Sequence, residues 1–392
     1  MRTLARRTRK VHNFTMIELA PTLHRTLRRL LMLGLLWAAS NPTGVSAEPA
    51  FGLTLPPGFS ISVFAKAPRA RSIALAEDLG VVFVSTRHDT VYAIPLRDDD
   101  GLHPTYPVLR GLTSPNGIAW KDGYLYVVEQ HRVTRHRVPS LDALTDGEPE
   151  VLFDGLPDKE WHGNRYIQFG ADGALYVGVG AACNVCSLHG YEGSILKFTP
   201  GRWDKPEIVA TGVRNTVGID VHPATGQIFF TDNGADGMGD DSPPDELNAL
   251  DEPGAHFGFP WYGGGEDRAP HFRLLPVPDG MVAPIVRFQA HVAPLGVDFY
   301  DGRMFPAEYR NDAFVAQHGS WNRSSPVGYR IMRIRFDAAG QVIGKEPFVD
   351  GWLRPNGDVT GRPVDLEELP DGSLLISDDG AGLIYRVVYI KP

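Results

Sequence analysis

Along this chain, short runs of alternating apolar residues are each followed by a turn and a second apolar run. The pairs are 72–75 with 81–84, 116–120 with 124–128, 166–169 with 175–177, 217–221 with 227–230, 295–299 with 313–316, and 364–368 with 373–376. A period of two across a tight turn predicts a β-hairpin, because successive side chains of a strand point to opposite faces. Third strands of similar type are predicted at 90–94, 194–198, 329–334 and 382–387. The copies recur at roughly 45 to 80 residues, which predicts a radial repeat. A single four-stranded sheet leaves both faces bare, whereas sheets packed around an axis bury each other. The segment 59–65 is expected to supply the outer strand of the last sheet and close the ring. The fold expected is therefore all-β, a six-bladed β-propeller over 48–392 with long functional loops at one face. Two separate β domains would need a linker, and none is visible in the sequence.

The first 47 residues stand apart from this pattern. Arg25, Arg28 and Arg29 precede an apolar run at 30–39, and Val45, Ser46 and Ala47 form a small-residue cleavage site. That is the layout of a secretory signal peptide, too short in its apolar part to span a membrane. Met16 is an alternative start to Met1, since the basic segment before it is long. The expectation is a soluble periplasmic protein with no membrane insertion of the mature chain. The whole chain carries a net charge of −9 and the leader a net of +7, so the remainder carries −16. Such a surface argues against nucleic acid as a partner. The 43 glycines and 32 prolines suit a turn-rich β protein better than a helical one.

Chemistry is expected where loops meet the propeller axis. The stretch 161–180 is a loop with His162, a strand, an Asp-Gly turn and a second strand ending on Gly180. His162, flanked by Asn164 and Arg165, is the candidate base, since a histidine titrating near neutrality can take a hydroxyl proton while hydride leaves the same carbon. Arg214, Arg323 and Arg362 are expected at one mouth of an acidic protein. Together they suit a ligand with several carboxylates or phosphates; the competing reading pairs each with a local acid. The acid- and glycine-rich segment 232–246, within a loop-like insertion at 232–293, suits Ca²⁺ or is simply solvated. Cys183 and Cys186, the only cysteines, are expected to form a structural disulfide in an exported protein, with a redox role as the alternative.

Together the motifs resemble a known family, the soluble aldose (glucose) and sorbosone dehydrogenases that depend on pyrroloquinoline quinone (PQQ). They include Trp161-His162-Gly163-Asn164, Cys183-Asn184-Val185-Cys186, Arg214-Asn215, Pro244-Asp245-Glu246, His318-Gly319-Ser320-Trp321-Asn322-Arg323 and Gly361-Arg362-Pro363. The cysteine and His-Gly-Ser-Trp motifs look most like the sorbosone branch. The resemblance implies PQQ and Ca²⁺ at the channel mouth, a small-molecule sugar substrate and an external electron acceptor. On that pattern His162 is the base, oriented by Asp245. Arg214, Asn215 and Arg362 hold the quinone, and Trp261 is a stacking or wall residue. Gly234 and Ala235 offer backbone oxygens to calcium, in place of a Gly-Pro pair in glucose-oxidising members. Arg323 is the expected substitute for a family lysine and Asn116 for a family glutamine. A second arginine of the last blade is replaced near Val364. A calcium-dependent sugar lactonase and a non-catalytic binding propeller are the competing functions, since fold alone does not assign activity.

Overall fold

The computed structural model describes residues 52–97, 101–144 and 147–390; the predicted leader and its cleavage site lie outside them. Six sheets follow one another along the chain, each built on four antiparallel strands, one of them with a short fifth strand added. Blade 1 is Ala70–Ala76, Val81–Thr86, Val91–Pro95 and Tyr106–Leu109. Blade 2 is Gly117–Lys121, Tyr124–Val128, Val133–Arg137 and Glu150–Phe153. Blade 3 is Tyr166–Phe169, Leu175–Val179, Ser194–Phe198 and Glu207–Thr211. Blade 4 is Ile219–Val221, Ile228–Asp232, Glu246–Leu250 and Val286–Arg287. Blade 5 is Pro294–Phe299, Ala313–Gln317, Arg330–Phe336 and Val342–Val349. Blade 6 takes Pro363–Glu368, Leu374–Asp378 and Leu383–Tyr389 from the end of the chain and Phe59–Lys66 from its beginning. The early strand pairs antiparallel with Leu383–Tyr389, so the ring closes as the repeat pattern predicts.

The second strands read as nearly continuous apolar runs because both of their faces are covered. In Val81–Thr86, Val81 and Phe83 pack toward blade 2 with Leu125 and Val127. Val82 and Val84 pack toward blade 6 with Leu375 and Ile384. The same alternation divides Leu374 and Ile376, which join the cluster shared with blade 5, from Leu375. Around the axis itself, Val217, Leu295 and Val364 form a small apolar cluster.

Carboxylates tie inner strands of different blades together. Asp220 of blade 4 accepts the backbone N–H of Phe299 in blade 5 at 2.7 Å. Asp365 of blade 6 accepts the N–H of Ile73 in blade 1 at 3.0 Å and the hydroxyl of Tyr166 in blade 3 at 3.0 Å. The 232–293 insertion is less irregular than its composition predicts. It supplies the third and fourth strands of blade 4, and Ala255–His256 adds in parallel to the outer strand of blade 3. Glycine and proline between these short strands hide them from a periodicity reading. No helix among the described residues is long and apolar enough to cross a membrane.

Candidate active site

At one mouth of the channel lies a cavity of about 340 Å³, walled by loops of blades 1, 3, 4 and 5. His162 enters it from the loop before the inner strand of blade 3. This loop is held by Arg165, which is 1% exposed. Its guanidinium donates to the carbonyls of Gln130 (3.2 Å), His162 (2.9 Å) and Pro157 (2.6 Å). Arg165 is thus a strap behind the histidine and not a ligand contact. The His162 backbone sits at φ 52°, and His291 (69°) and Ala293 (52°) on the same wall are also left-handed. Non-glycine residues in that region are uncommon and gather where function constrains the chain.

The His162 ring is fixed by one bond, from Nδ1 to the Ala181 carbonyl at 2.9 Å. A carbonyl only accepts, so Nδ1 carries the proton and Nε2 is left with its lone pair. Burial first, and the nearby Arg214 charge second, push the His162 pKa down to about 3. That departs from the near-neutral titration expected from an exposed loop, because the ring is enclosed and faces a cation. Asp245 does not orient it. The Asp245 carboxylate accepts the N–H of Gly234 at 2.7 Å and of Ala293 at 2.8 Å, so both oxygens are spent on backbone. Burial raises its pKa to about 7. Asp245 lines the cavity as a brace between two loops.

Arg214 and Asn215 line the same cavity. Arg214 is held by Asn184, whose carbonyl accepts Nε at 2.9 Å and whose Oδ1 accepts Nη2 at 2.7 Å. Asn233 O and Asp236 Oδ2 take two further hydrogens at 3.0 Å each. Four of its five donors are engaged, and one N–H on Nη1 remains for a ligand. Asn184 sits inside the Cys183–Cys186 disulfide loop, so the bridge frames this arginine's clamp.

The other expected cofactor contacts lie behind the wall. Arg323 donates to the Asp240 carbonyl and to Asp241 Oδ1 (2.8 Å), pinning the acidic loop. Arg362 donates to the carbonyls of His318 (3.2 Å) and Gly319 (2.7 Å), pinning the blade-5 loop. Neither lines the cavity. The local-acid reading therefore holds for Arg323, while Arg362 is drawn to carbonyls. Asn116 is buried, accepting from Arg71 Nε at 2.7 Å and donating to the Arg165 carbonyl at 2.7 Å. Trp261 packs against His256 and Phe272, away from the cavity; the aromatic walls are Trp161 and Trp321, 49% and 73% exposed.

Gly234 reaches the cavity, whereas Ala235 is fully buried. The acids of 232–246 are spent on hydrogen bonds, for example Asp232 on the N–H groups of Arg214 (2.8 Å) and Asn215 (2.5 Å). Among the described residues no group of three or more His, Cys, Asp or Glu is arranged to hold a metal. A calcium cage of loop carboxylates is thereby replaced by a loop that ties itself together. The carbonyls of Gly234 and Ala235 accept no hydrogen bond among the described residues.

Sequence reasoning missed Arg71 and Arg87, which both line the cavity. In blade 1, Arg71 directly precedes the apolar run 72–75, as the second residue of the inner strand, and Arg87 directly follows the second strand. Applying the positional rule to the first repeat finds them. Arg71 is 3% exposed and pairs with Asp379 at 3.1 Å. Arg87 is exposed, and its guanidinium has no partner among the described residues.

A propeller whose channel mouth holds a tautomer-fixed histidine among arginines matches one family along most of its length. The glucose/sorbosone dehydrogenase family model matches residues 124–386. The chain belongs to this family. It is therefore related to sugar dehydrogenases, a class of oxidoreductases; the match spans glucose and sorbosone members alike. An uncharacterized protein of Borreliella burgdorferi is 35% identical over 366 residues, covering 90% of this chain and 95% of its own. The calcium structure of a Trichoderma reesei carbohydrate-active enzyme of family AA12 superimposes with a TM-score of 0.73 at 20% identity, over 86% of this chain and 97% of that one. The holo form of the PQQ domain of pyranose dehydrogenase from Coprinopsis cinerea gives a TM-score of 0.71 at 18% identity, with the same two coverages. At these identities the two structures support the six-bladed fold.

Proposed function

We propose that this family member is an exported PQQ-dependent dehydrogenase that oxidises an aldose or a sugar aldehyde and passes the electrons to an external acceptor. The observation that carries the reading is His162. Its Nδ1–H is committed to Ala181, and its bare Nε2 belongs to a ring lining a cavity edged by three arginines. The donor set fits a planar tricarboxylate. Arg71, Arg87 and the spare N–H of Arg214 would take carboxylates, and the Asn164 and Asn215 amides, unbonded among the described residues, would take carbonyl oxygens. The Gly234 carbonyl would offer Ca²⁺ an oxygen ligand, with Ala235 behind it. When bound, the quinone supplies an electrophilic carbonyl carbon able to receive hydride.

The remaining chemistry belongs to the chain. His162 Nε2 takes the substrate hydroxyl proton, and Ala181 stabilises the resulting imidazolium through the Nδ1 hydrogen bond. An anion placed against Arg214 removes the second cause of the depressed His162 pKa. Cofactor binding and base strength are therefore linked. Trp161 and Trp321 offer flat apolar faces to a sugar ring. The disulfide between Cys183 and Cys186 supports an oxidising compartment, consistent with export to the periplasm.

The test is a titration of metal-free protein with PQQ and Ca²⁺, followed by a panel of aldoses and sorbosone. Stoichiometric binding and bleaching of the oxidised quinone by one sugar is the expected result. No binding at micromolar quinone would refute the proposal in favour of a lactonase or a binding propeller.

A further inference from the structure

Besides His162, another histidine on the cavity wall, His318, is held by several hydrogen bonds. His318 follows the second strand of blade 5. Its backbone N–H donates to the Ala293 carbonyl at 3.0 Å, and its carbonyl accepts Arg362 Nε at 3.2 Å, so the residue is held from both sides. Its Nε2 lies 2.8 Å from Asp379 Oδ1, and Asp379 Oδ2 lies 3.1 Å from Arg71 Nη1. Burial works against the Asp379 charge, but the His318 hydrogen bond and the Arg71 guanidinium hold its carboxyl below the usual range. An ionised carboxylate only accepts, so Nε2 of His318 carries the hydrogen. Burial keeps the ring neutral, with a pKa pushed down to about 4. Nδ1 is consequently bare, and it has no partner among the described residues although the ring lines the cavity.

The rest of the wall explains why a bare nitrogen matters. None of its described residues is a serine, threonine or tyrosine. Its arginines and tryptophans donate, while its asparagine amides can donate or accept. Its two carboxylates are already taken, Asp236 by Arg214 and Asn322, and Asp245 by two backbone N–H groups. A polyhydroxyl ligand brings hydroxyl hydrogens that need acceptors, and buried donors without them are costly. The open acceptors include the imidazole nitrogens.

We propose that His318 is a substrate-binding residue that accepts a hydrogen bond at Nδ1 from a sugar hydroxyl other than the one His162 deprotonates, and that Asp379 is the positioning residue that fixes its tautomer. This rests on the sugar-dehydrogenase reading above and extends it from one hydroxyl to two.

Asp379→Asn is the test, because it can reverse one contact and keep the other. The asparagine Oδ1 still accepts from Arg71, while its Nδ2–H₂ donates to His318 Nε2 and drives the proton to Nδ1, turning the acceptor into a donor. With ¹⁵N-labelled histidine, the His318 resonances should exchange their protonated and unprotonated nitrogens, a readout that needs no turnover. In kinetics, KM for the oxidised sugar should rise about tenfold with a smaller change in kcat, the loss expected for one reversed hydrogen bond. In a series of single-deoxy sugars, the penalty should vanish for the one lacking the contacted hydroxyl. A wild type that oxidises no sugar overturns the function and this inference together. An active wild type whose Asp379→Asn variant keeps its KM, keeps the His318 tautomer, or loses equally across the deoxy series overturns the inference alone.

Discussion

Gly180→Ala is the substitution most directly tied to the geometry of the base. Gly180 follows the second strand of blade 3, directly before Ala181, whose carbonyl accepts the hydrogen bond of His162 Nδ1. A Cβ built there would stand 2.5 Å from the Cβ of His162, 2.9 Å from its carbonyl oxygen and 3.3 Å from Asn215 Oδ1. Carbon atoms in ordinary contact lie about 3.5–4.0 Å apart, so His162 must retreat by about 1 Å. The backbone of Gly180 is not left-handed, so the conformation itself admits alanine. Overpacking of this kind costs about 1–3 kcal/mol of stability, offset in part by the ~0.4–1 kcal/mol gained from a stiffer unfolded chain. The larger effect should be catalytic. A displacement of ~1 Å at a reacting group can cost about 10²-fold in rate, equivalent to about 2.7 kcal/mol of barrier. The assay compares kcat at saturating sugar with the urea midpoint and with PQQ affinity. We expect kcat to fall about a hundredfold while the protein stays folded and binds quinone. A folded variant within threefold of wild-type kcat would refute both the steric argument and the role of His162.

Three further outcomes follow from the same contacts. His162→Ala should leave folding and quinone binding nearly intact and lower kcat by about 10²–10⁴-fold, the usual share of a general base; full activity in steady-state assays would remove that assignment. Burial holds Asp245 and Asp365 protonated up to a pKa of about 7 and Glu246 up to about 8. The native state therefore binds more protons than the unfolded chain there, and stability falls as pH rises through those values. His162 and His318, with lowered pKa, act in the opposite sense only below about 6.5, so the urea midpoint should drop between pH 6.5 and 8; a rise would contradict the burial of these acids. Replacing both Cys183 and Cys186 with serine should free the loop carrying Asn184, loosen Arg214 and weaken PQQ binding about tenfold, as for one charged hydrogen bond, which a quinone titration measures.

The fold was legible because each repeat announces itself twice, in its period-two strands and in its turn glycines. Even the closing strand was visible, since Phe59–Lys66 is an apolar run without a hairpin partner nearby. The short strands Ala255–His256 and Val286–Arg287 were not, because two residues carry no period. At the site, His162, Arg214, Asn215 and Gly234 were placed on the cavity by their positions relative to the strands. Arg323 and Arg362 obeyed the same positional rule, yet carbonyls and acids of neighbouring loops claim them. Which way a loop guanidinium turns is decided by partners distant in sequence, such as Asp240 for Arg323. No local pattern encodes that choice. Asp245 shows the same limit: its acid was found, but its partners, Gly234 and Ala293, lie on two loops that only the closed ring brings together.

The borrowed strand of blade 6 also has a temporal consequence. Phe59 pairs with Tyr389, so the first and last parts of the ring meet across more than three hundred residues of chain. A nascent or translocating chain can form blades 1 to 5 in turn, but blade 6 waits for the C-terminal segment. Until then Phe59–Lys66 is an unpaired edge, open to the same segment of another molecule. Closure of so long a loop is expected to be slow, and it competes with an exchange between molecules that grows with concentration. Dilution during refolding should therefore favour monomeric rings, and crowding should favour strand-exchanged dimers.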